Sequence, residues 1–476
     1  MKKFLISCLL GYPLISYAIE SKIQHLLQTT DSSFSIGIEV QDIKGQVIFS
    51  RNAQQSFVTA STQKILPAAL ALAASKDPGL IPHLSSSFGK TPFVTEIVYD
   101  PKNNATYLVF GGDPLLNLKD LNHIFQEAKT KGLIGKTLYV VMTRPEDLPP
   151  TSPGCPHEGI EFCYGGIVSS AVINQNRVSF DLSGKSKTDQ ARITLDEGQP
   201  AFPVENKTHT ADICFVDPIV GQWDQVQRSA LYFDGKKITV TGCVTTLFEA
   251  KMCLPVLPHA MEPYIRAFLV EALKRHHVTA NIVFRDKLPS GKGLKKFSYS
   301  SSKLEKLLNL CLKDSNNLVT DALFGKLTQN PSWPRNWDFA GRALKGHMEK
   351  VFGVTFSPED DLQSGSGLSF YNRLTPSTLS QILRKIYAKL GQGFLDCLSQ
   401  AGVDGTLSSR LKDLPPCSKI LGKTGQMRGI TNFGGYLQKN GQSPYIVTIF
   451  ITGHREKEKE RKSLMDNILL AILEDL

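Results

Sequence analysis

Thr59-Ala60-Ser61-Thr62-Gln63-Lys64-Ile65-Leu66-Pro67 runs directly into Ala68-Ala69-Leu70-Ala71-Leu72-Ala73-Ala74. A small-residue turn that opens an Ala/Leu-rich segment predicts a buried helix starting near Ser61, and three residues along a helix bring Lys64 back beside Ser61. The stretch therefore sets a hydroxyl next to an amine. A serine hydroxyl is a weak nucleophile until a neighbouring base takes its proton, and lysine serves as that base only while its amine is neutral. The helix N-terminus would also favour negative charge developing on Ser61. Ser-x-x-Lys alone carries little, because the chain repeats it at Ser87/Lys90, Ser300/Lys303 and Ser409/Lys412. What distinguishes Ser61 is its apolar helix and two further motifs downstream.

The first of these is Asp314-Ser315-Asn316-Asn317, placed after the apolar run Leu304 to Leu312. Ser-x-Asn puts a hydroxyl able to relay a proton and an amide able to hold a peptide carbonyl on one short turn. The second, Lys423-Thr424-Gly425, occurs once and leads toward the strand-like Phe433 to Leu437. A strand edge carrying a cation, a hydroxyl and an unhindered glycine backbone suits a substrate that ends in a carboxylate and lies along the edge as an added strand.

The chain of 476 residues is long enough for several domains, and its 41% hydrophobic and 21% charged residues are those of a globular protein. Met1-Lys2-Lys3, an apolar stretch from Phe4, and Ser16-Tyr17-Ala18 read as a secretory signal cleaved after Ala18. No later apolar run is long enough to span a bilayer, so the expected location is the periplasm or cell envelope, in soluble form. Beyond Cys8, eight cysteines remain, five of them between Cys155 and Cys253. That even count in an exported chain permits disulfides, whose pairing the sequence leaves open. Cys155, His157 and Cys163 do not match a standard zinc spacing, and no metal or cofactor is expected. The formal charge of +10 falls to +8 without Lys2 and Lys3. With no stacking motif or basic helix, it suggests an anionic envelope polymer and not nucleic acid.

Alternating Phe34, Ile36, Ile38 and Val40 predict a strand, turned at Lys44-Gly45 into Gln46 to Phe49. Phe433 to Leu437 and Tyr445 to Ile451 form a second pair, turned at Asn440-Gly441. The last segment, with Leu464, Ile468, Leu469, Ile472 and Leu473, reads as a helix packed on that sheet. Residues from about 86 to 290 change texture to Gly, Pro, Asn and short β-like runs at Glu96 to Tyr99, Leu138 to Val141 and Lys237 to Val240. The Pro-rich stretch Arg144 to Pro156 marks a boundary inside them. Helical texture appears at Met261 to Lys274 and Leu304 to Leu312, then from Pro376 to Leu390 behind an N-cap at Thr375.

The three motifs in this order resemble the signature shared by penicillin-binding proteins and class A β-lactamases. Spacing separates the two: 254 residues lie between Ser61 and Ser315 and 108 between Ser315 and Lys423, so an inserted module fits into the first interval. This layout resembles the D-alanyl-D-alanine carboxypeptidase/endopeptidase family, low-molecular-mass class C penicillin-binding proteins with a large insertion in a transpeptidase fold. Gly112-Asp113-Pro114, Gly365-Ser366-Gly367-Leu368-Ser369 and Ala401-Gly402-Val403-Asp404-Gly405-Thr406-Leu407 carry the resemblance further.

The resemblance implies an α/β (α+β) fold, with a β-lactamase/transpeptidase-like core of antiparallel sheet and helices plus inserted β-rich domains. The expected division is a signal at 1–18, core at 19–85, an insertion of two subdomains at 86–290 with a cysteine-containing module at about 145–258, and core again at 291–476. It further implies that Ser61 is acylated, Lys64 is its base and Ser315 passes the proton to the leaving D-alanine. Asn317 would hold the substrate backbone, and Lys423, Thr424 and Gly425 the terminal carboxylate end. The oxyanion would sit between the N–H groups of Ser61 and Gln426. Two residues depart from the family pattern, Asn316 for the usual Asp and Gln426 for the usual Ser. The implied partners are peptidoglycan stem peptides, with β-lactams as covalent inhibitors. The alternatives are a β-lactamase-like hydrolase that clears its acyl group quickly, and a non-catalytic peptidoglycan-binding scaffold.

Overall fold

The computed structural model describes residues 17–84, 88–142, 151–156, 163–184, 189–212, 214, 231–289, 291–300, 302–328, 336–439 and 441–476. Residues 1–16 of the expected signal, Asn440 of the expected turn, His157 and the Arg144 to Pro150 part of the boundary lie outside these.

Six antiparallel strands form the sheet that carries the site, in the spatial order Ser399–Gln400, Ser418–Met427, Ile430–Lys439, Tyr445–Thr452, Ser35–Gln41, Val47–Arg51. The early strand pairs with the last one, Ile38 opposite Ile449 and Val40 opposite Val447, so the two chain ends meet inside one ladder. Alternation reads these strands correctly because each has a face to bury. On one side, Ile36, Ile38, Phe433, Val447 and Ile449 pack against Leu464, Ile468, Leu469 and Ile472 of the terminal helix Glu458–Asp475. Ile19 and Ile23, in helix 17–28, join that cluster.

The other side faces an all-helical layer. The helix Ile65–Lys76 is buried nearly all round, which its Ala/Leu composition allows, since small side chains admit helices on every side. Around it pack Leu304–Leu312, Asn317–Thr328, Trp337–Phe352 and Pro376–Leu390. The Thr375 hydroxyl accepts from the Thr378 N–H at 3.0 Å and Pro376 occupies the first helical position, as the sequence predicts.

Among the described residues, three further sheets lie between the first and second motifs. One has five strands in the order Asn281–Arg285, Thr137–Val141, Ala105–Val109, Thr95–Asp100, Lys295–Tyr299. The others have three each: Leu231–Phe233, Ile238–Thr245, Val204–Ala211, and Glu249–Pro255, Arg177–Ser183, Arg192–Leu195. Amid these β-like runs the region also holds the helix Leu118–Thr130, with an Asn117/Asp120 capping box. Of the five cysteines clustered there, Cys163 bonds to Cys253 and Cys214 to Cys243. Cys155 stays a thiol, as do Cys311, Cys397 and Cys417. Cys163 is thereby excluded as a zinc ligand.

Candidate active site

Ser61 does not open an α-helix directly. Ala60–Lys64 is a 3-10 turn, entered through Ala60 at φ +45°, and the α-helix follows from Ile65. A left-handed alanine costs about 1 kcal/mol or more and persists only where surroundings enforce it. Here the enforcement is close packing: a Cβ on Gly367 would lie 1.9 Å from the Ala60 carbonyl oxygen. The turn leaves Ser61 half-buried at the surface of the site and Lys64 fully buried beneath it.

Lys64 Nζ lies 2.9 Å from Ser61 Oγ, 2.5 Å from Asn317 Oδ1 and 2.6 Å from the Ser366 carbonyl oxygen. A neutral amine has two N–H donors and one lone pair. Donation to the two carbonyl-type oxygens leaves that lone pair for the Ser61 hydroxyl. Burial pulls Lys64 down to about 8, against smaller opposite pulls from Cys311 and Asp321. Lys423 is not among the causes of that depression; the like-charge effect falls on Lys423 itself, held far below the ordinary lysine range by burial first and Lys64 second.

Asp321 lies one helical turn beyond Asn317, and its Oδ1 accepts from the Ser366 N–H at 2.8 Å, so the Ser366 carbonyl is presented to Lys64. Burial raises the Asp321 carboxyl. Nothing in the sequence reading assigned it. The available signal was a lone carboxylate amid Leu318, Val319, Ala322, Leu323 and Phe324.

Asn317 begins its helix, its Oδ1 toward Lys64 and its Nδ2 donating to the Tyr164 carbonyl at 2.8 Å. Asn316 turns the other way: its Nδ2 donates to Gln175 Oε1 at 2.9 Å and its Oδ1 accepts from the Val319 N–H at 3.0 Å. Ser315 has a left-handed backbone, φ +59°, on the turn between the two helices, and its hydroxyl makes no hydrogen bond to Ser61 or Lys64.

Lys423-Thr424-Gly425 lies within a strand and not before one. Ser418–Met427 pairs along its whole length with Ile430–Lys439, while the short Ser399–Gln400 on its other side reaches only Leu421 and Gly422. Among the described residues no strand pairs with that edge past Gly422, as an added strand requires. Lys423 is fully buried, its Nζ donating to the Thr424 carbonyl at 2.8 Å. The Thr424 hydroxyl meets the Thr406 hydroxyl at 2.8 Å. Thr406 is pinned by its N–H to the Lys313 carbonyl at 3.1 Å, and the neighbouring Asp404 pairs with Lys313 Nζ at 2.6 Å. Gly425 lies against the Ser61 turn: a Cβ there would meet the Thr59 carbonyl at 2.9 Å and the Ser61 nitrogen at 3.2 Å. The Gln426 side chain is exposed and reaches toward Glu458, away from the hydroxyl.

The structure thus joins Ser61, Lys64 and Asn317 by direct contact, sets Lys423 close enough to feel Lys64, and packs the Gly425 backbone against the Ser61 turn. Among the described residues no group of three or more His, Cys, Asp or Glu side chains is placed to hold a metal ion, and no helix is long and apolar enough to cross a membrane.

An antiparallel sheet between a terminal helix and an all-helical layer, interrupted by inserted sheets, defines a β-lactamase/transpeptidase-like fold. The chain belongs to the D-Ala-D-Ala carboxypeptidase 3 (S13) family, whose sequence profile matches residues 19–471. It is 24% identical over 455 residues to the D-alanyl-D-alanine carboxypeptidase DacB of Haemophilus influenzae, covering 93% of this chain and 90% of that one. A D-alanyl-D-alanine carboxypeptidase of an Actinomadura species is 23% identical over 426 residues, 84% of this chain and 74% of the other. The crystal structure of penicillin-binding protein 4 from Haemophilus influenzae superimposes with a TM-score of 0.75 at 21% identity, over 95% of this chain and 98% of that one. The same protein complexed with a β-lactam gives a TM-score of 0.72 at 22% identity over the same shares.

Proposed function

We propose that this protein is an exported serine-type D-Ala-D-Ala carboxypeptidase that also acts as a DD-endopeptidase on peptidoglycan stem peptides, and that penicillins acylate it at Ser61. The observation that carries the reading is the buried Lys64 amine, 2.9 Å from the Ser61 oxygen and lowered to about 8. In this reading the Lys64 lone pair takes the Ser61 proton as Oγ bonds to the penultimate D-alanine carbonyl carbon. The N–H groups of Ser61 and Gln426 receive the oxyanion, which the tight approach of Gly425 to the Ser61 nitrogen supports. As the peptide C–N bond breaks, Ser315 gives its hydroxyl proton to the departing D-alanine nitrogen and regains one from the protonated Lys64 amine. Water then attacks the acyl carbon, Ser61 Oγ leaves with a proton, and the shortened peptide is released.

Lys423 and Thr424 bind the terminal carboxylate, whose charge would restore the Lys423 proton that burial and Lys64 disfavour. Asn317 Nδ2, with one of its two hydrogens on the Tyr164 carbonyl, offers the second to the substrate backbone. Endopeptidase action needs the same steps with a bulkier leaving amine, which the open strand edge beyond Gly422 accommodates. The DacB and penicillin-binding protein 4 relatives support both the substrate class and the β-lactam sensitivity.

Intact-protein mass after exposure to benzylpenicillin tests the reading. The wild type should gain one penicilloyl group and release it slowly, and Ser61→Ala should gain none. An adduct on Ser61→Ala removes Ser61 from its role, and rapid turnover of penicillin by the wild type marks a β-lactamase instead.

A further inference from the structure

Among the described residues, two hydrogen bonds cross from the inserted region to the second motif, and both come from short turns tied to one pair of strands. Arg177–Ser183 and Glu249–Pro255 run antiparallel, Cys253 opposite Ser179 and Pro255 opposite Arg177. Cys253 is bonded to Cys163, which opens the short turn Cys163–Gly165, and the next carbonyl, that of Tyr164, accepts from Asn317 Nδ2 at 2.8 Å. Just ahead of Arg177, the residues Asn174, Gln175 and Asn176 are all left-handed, at φ +50°, +55° and +49°. Asn176 is buried and anchors that turn, its Nδ2 donating to the Ile167 carbonyl at 3.0 Å and its Oδ1 accepting from the Ile173 N–H at 3.2 Å. Glutamine gains nothing locally from that conformation, unlike asparagine. What the turn achieves is to bring Gln175 Oε1 to Asn316 Nδ2 at 2.9 Å.

We propose that the Cys163–Cys253 disulfide is a positioning element of the active site, holding the Tyr164 carbonyl against Asn317 so that the Asn317 amide keeps its oxygen, and not its nitrogen, on Lys64. This deepens the reading of the site given above and rests on it. An asparagine side chain has two nearly isosteric orientations, and hydrogen-bond partners decide between them. A backbone carbonyl accepts only, so it demands Nδ2, which leaves Oδ1 for the Lys64 amine at 2.5 Å. Without that carbonyl the amide is free to turn over. Nδ2 would then donate into the Lys64 lone pair, the orbital needed for the Ser61 proton. The line of contacts from Cys253 through Cys163, Tyr164, Asn317 and Lys64 to Ser61 is continuous. The second disulfide, Cys214–Cys243, lies in the same inserted region on a different sheet, its Cys243 opposite His209, and provides the natural control.

The test compares penicillin acylation in the full chain carrying C163S/C253S with the chain carrying C214S/C243S. Both lose one staple of the same region, but only the first is tied to Asn317. The expected result is a fall of about tenfold or more in the acylation rate constant at saturating benzylpenicillin for C163S/C253S, with its dissociation constant for the unreacted drug within about threefold of wild type. C214S/C243S should acylate within about twofold of wild type. Equal rates for both variants, whether fast or slow, overturn the proposal, as does a C163S/C253S loss confined to drug binding.

Should C163S/C253S fail to fold, folded wild type is treated with a water-soluble phosphine and iodoacetamide. The phosphine becomes its oxide as water supplies the oxygen and the two thiol protons, and each thiol then displaces iodide. Rate loss that tracks capping of Cys163 and Cys253, beyond that of a sample capped without phosphine, supports the proposal. An unchanged rate with that pair fully capped overturns it. A wild type that takes no penicillin removes the reading of the site and this inference together, whereas an acylated wild type with an equally fast C163S/C253S removes this inference alone.

Discussion

At the scale of single residues, the proposed chemistry turns on how far burial brings the Lys64 amine toward its neutral form. Its amine is wholly buried, and burial outweighs the neighbouring Cys311 and Asp321. In the proposed mechanism the active form is the unprotonated one, so the rate of penicillin acylation should rise with pH, bend near pH 8 and level off above it, with a slope of one proton on the acid side. Stopped-flow or mass-resolved acylation from pH 6 to about 9.5 checks this; a profile flat through pH 7 contradicts Lys64 as the base. The pairing of Ser61 with Lys64 was readable because helical spacing is local, and Asn317 and Lys423 because their motifs occur in a set order. The Ser366 and Tyr164 carbonyls were not readable, since every residue has a carbonyl and only the fold decides which one meets the amine. Thr406 stood within a quoted motif, but its meeting with Thr424 depends on the distant Lys313 carbonyl that fixes its turn.

Among the elements, the strand Ser418–Met427 does most to shape the site, and it was also the hardest to see. Gly422 and Gly425 interrupt the alternation that betrays other strands, and glycine weakens a strand unless close approach requires it. Close approach is the reason here, because Thr59, Ser61 and Thr62 backbone atoms stand within 3.2 Å of where a Gly425 side chain would begin. Gly425→Ala should therefore push the strand off the Ser61 turn and slow acylation by about tenfold to a hundredfold, since small displacements at a reacting centre are costly. Its melting temperature should fall by only a few degrees, about 1–3 kcal/mol of overpacking spread over a large protein. Equal acylation by Gly425→Ala and wild type would show that the strand does not set the site geometry. The helix Leu118–Thr130 is an opposite case: its capping box and its buried Leu118, Leu121, Ile124, Phe125 and Ala128 were local signals, overlooked amid β-like neighbours.

For the molecule as a whole, the sheet joins sequence from both ends, so the site depends on residues that never touch it. Hydrophobic alternation and the terminal amphipathic run predicted the sheet and its helix. The ladder order was beyond such signals, because pairing Ser35–Gln41 with Tyr445–Thr452 is a contact across nearly the full chain. Leu464, Met465, Ile468, Leu469, Ile472 and Leu473 are all buried against that sheet. At about 1.5–3 kcal/mol each, their burial is comparable to the roughly 5–15 kcal/mol by which a typical protein is stable. Removal of residues 458–476 should accordingly leave no folded protein and no penicillin adduct, although every residue of the site is retained. A graded change separates stability from chemistry. Leu469→Ala should cost about 3 kcal/mol by opening a cavity in the fully buried cluster. The fraction that remains folded should be acylated at the wild-type rate, because the cavity lies across the sheet from Lys64. Denaturant unfolding and penicillin titration on the same samples check both halves. A Leu469→Ala protein that keeps its stability would detach the terminal helix from the core, and one that folds but acylates slowly would mean the sheet transmits strain to Ser61.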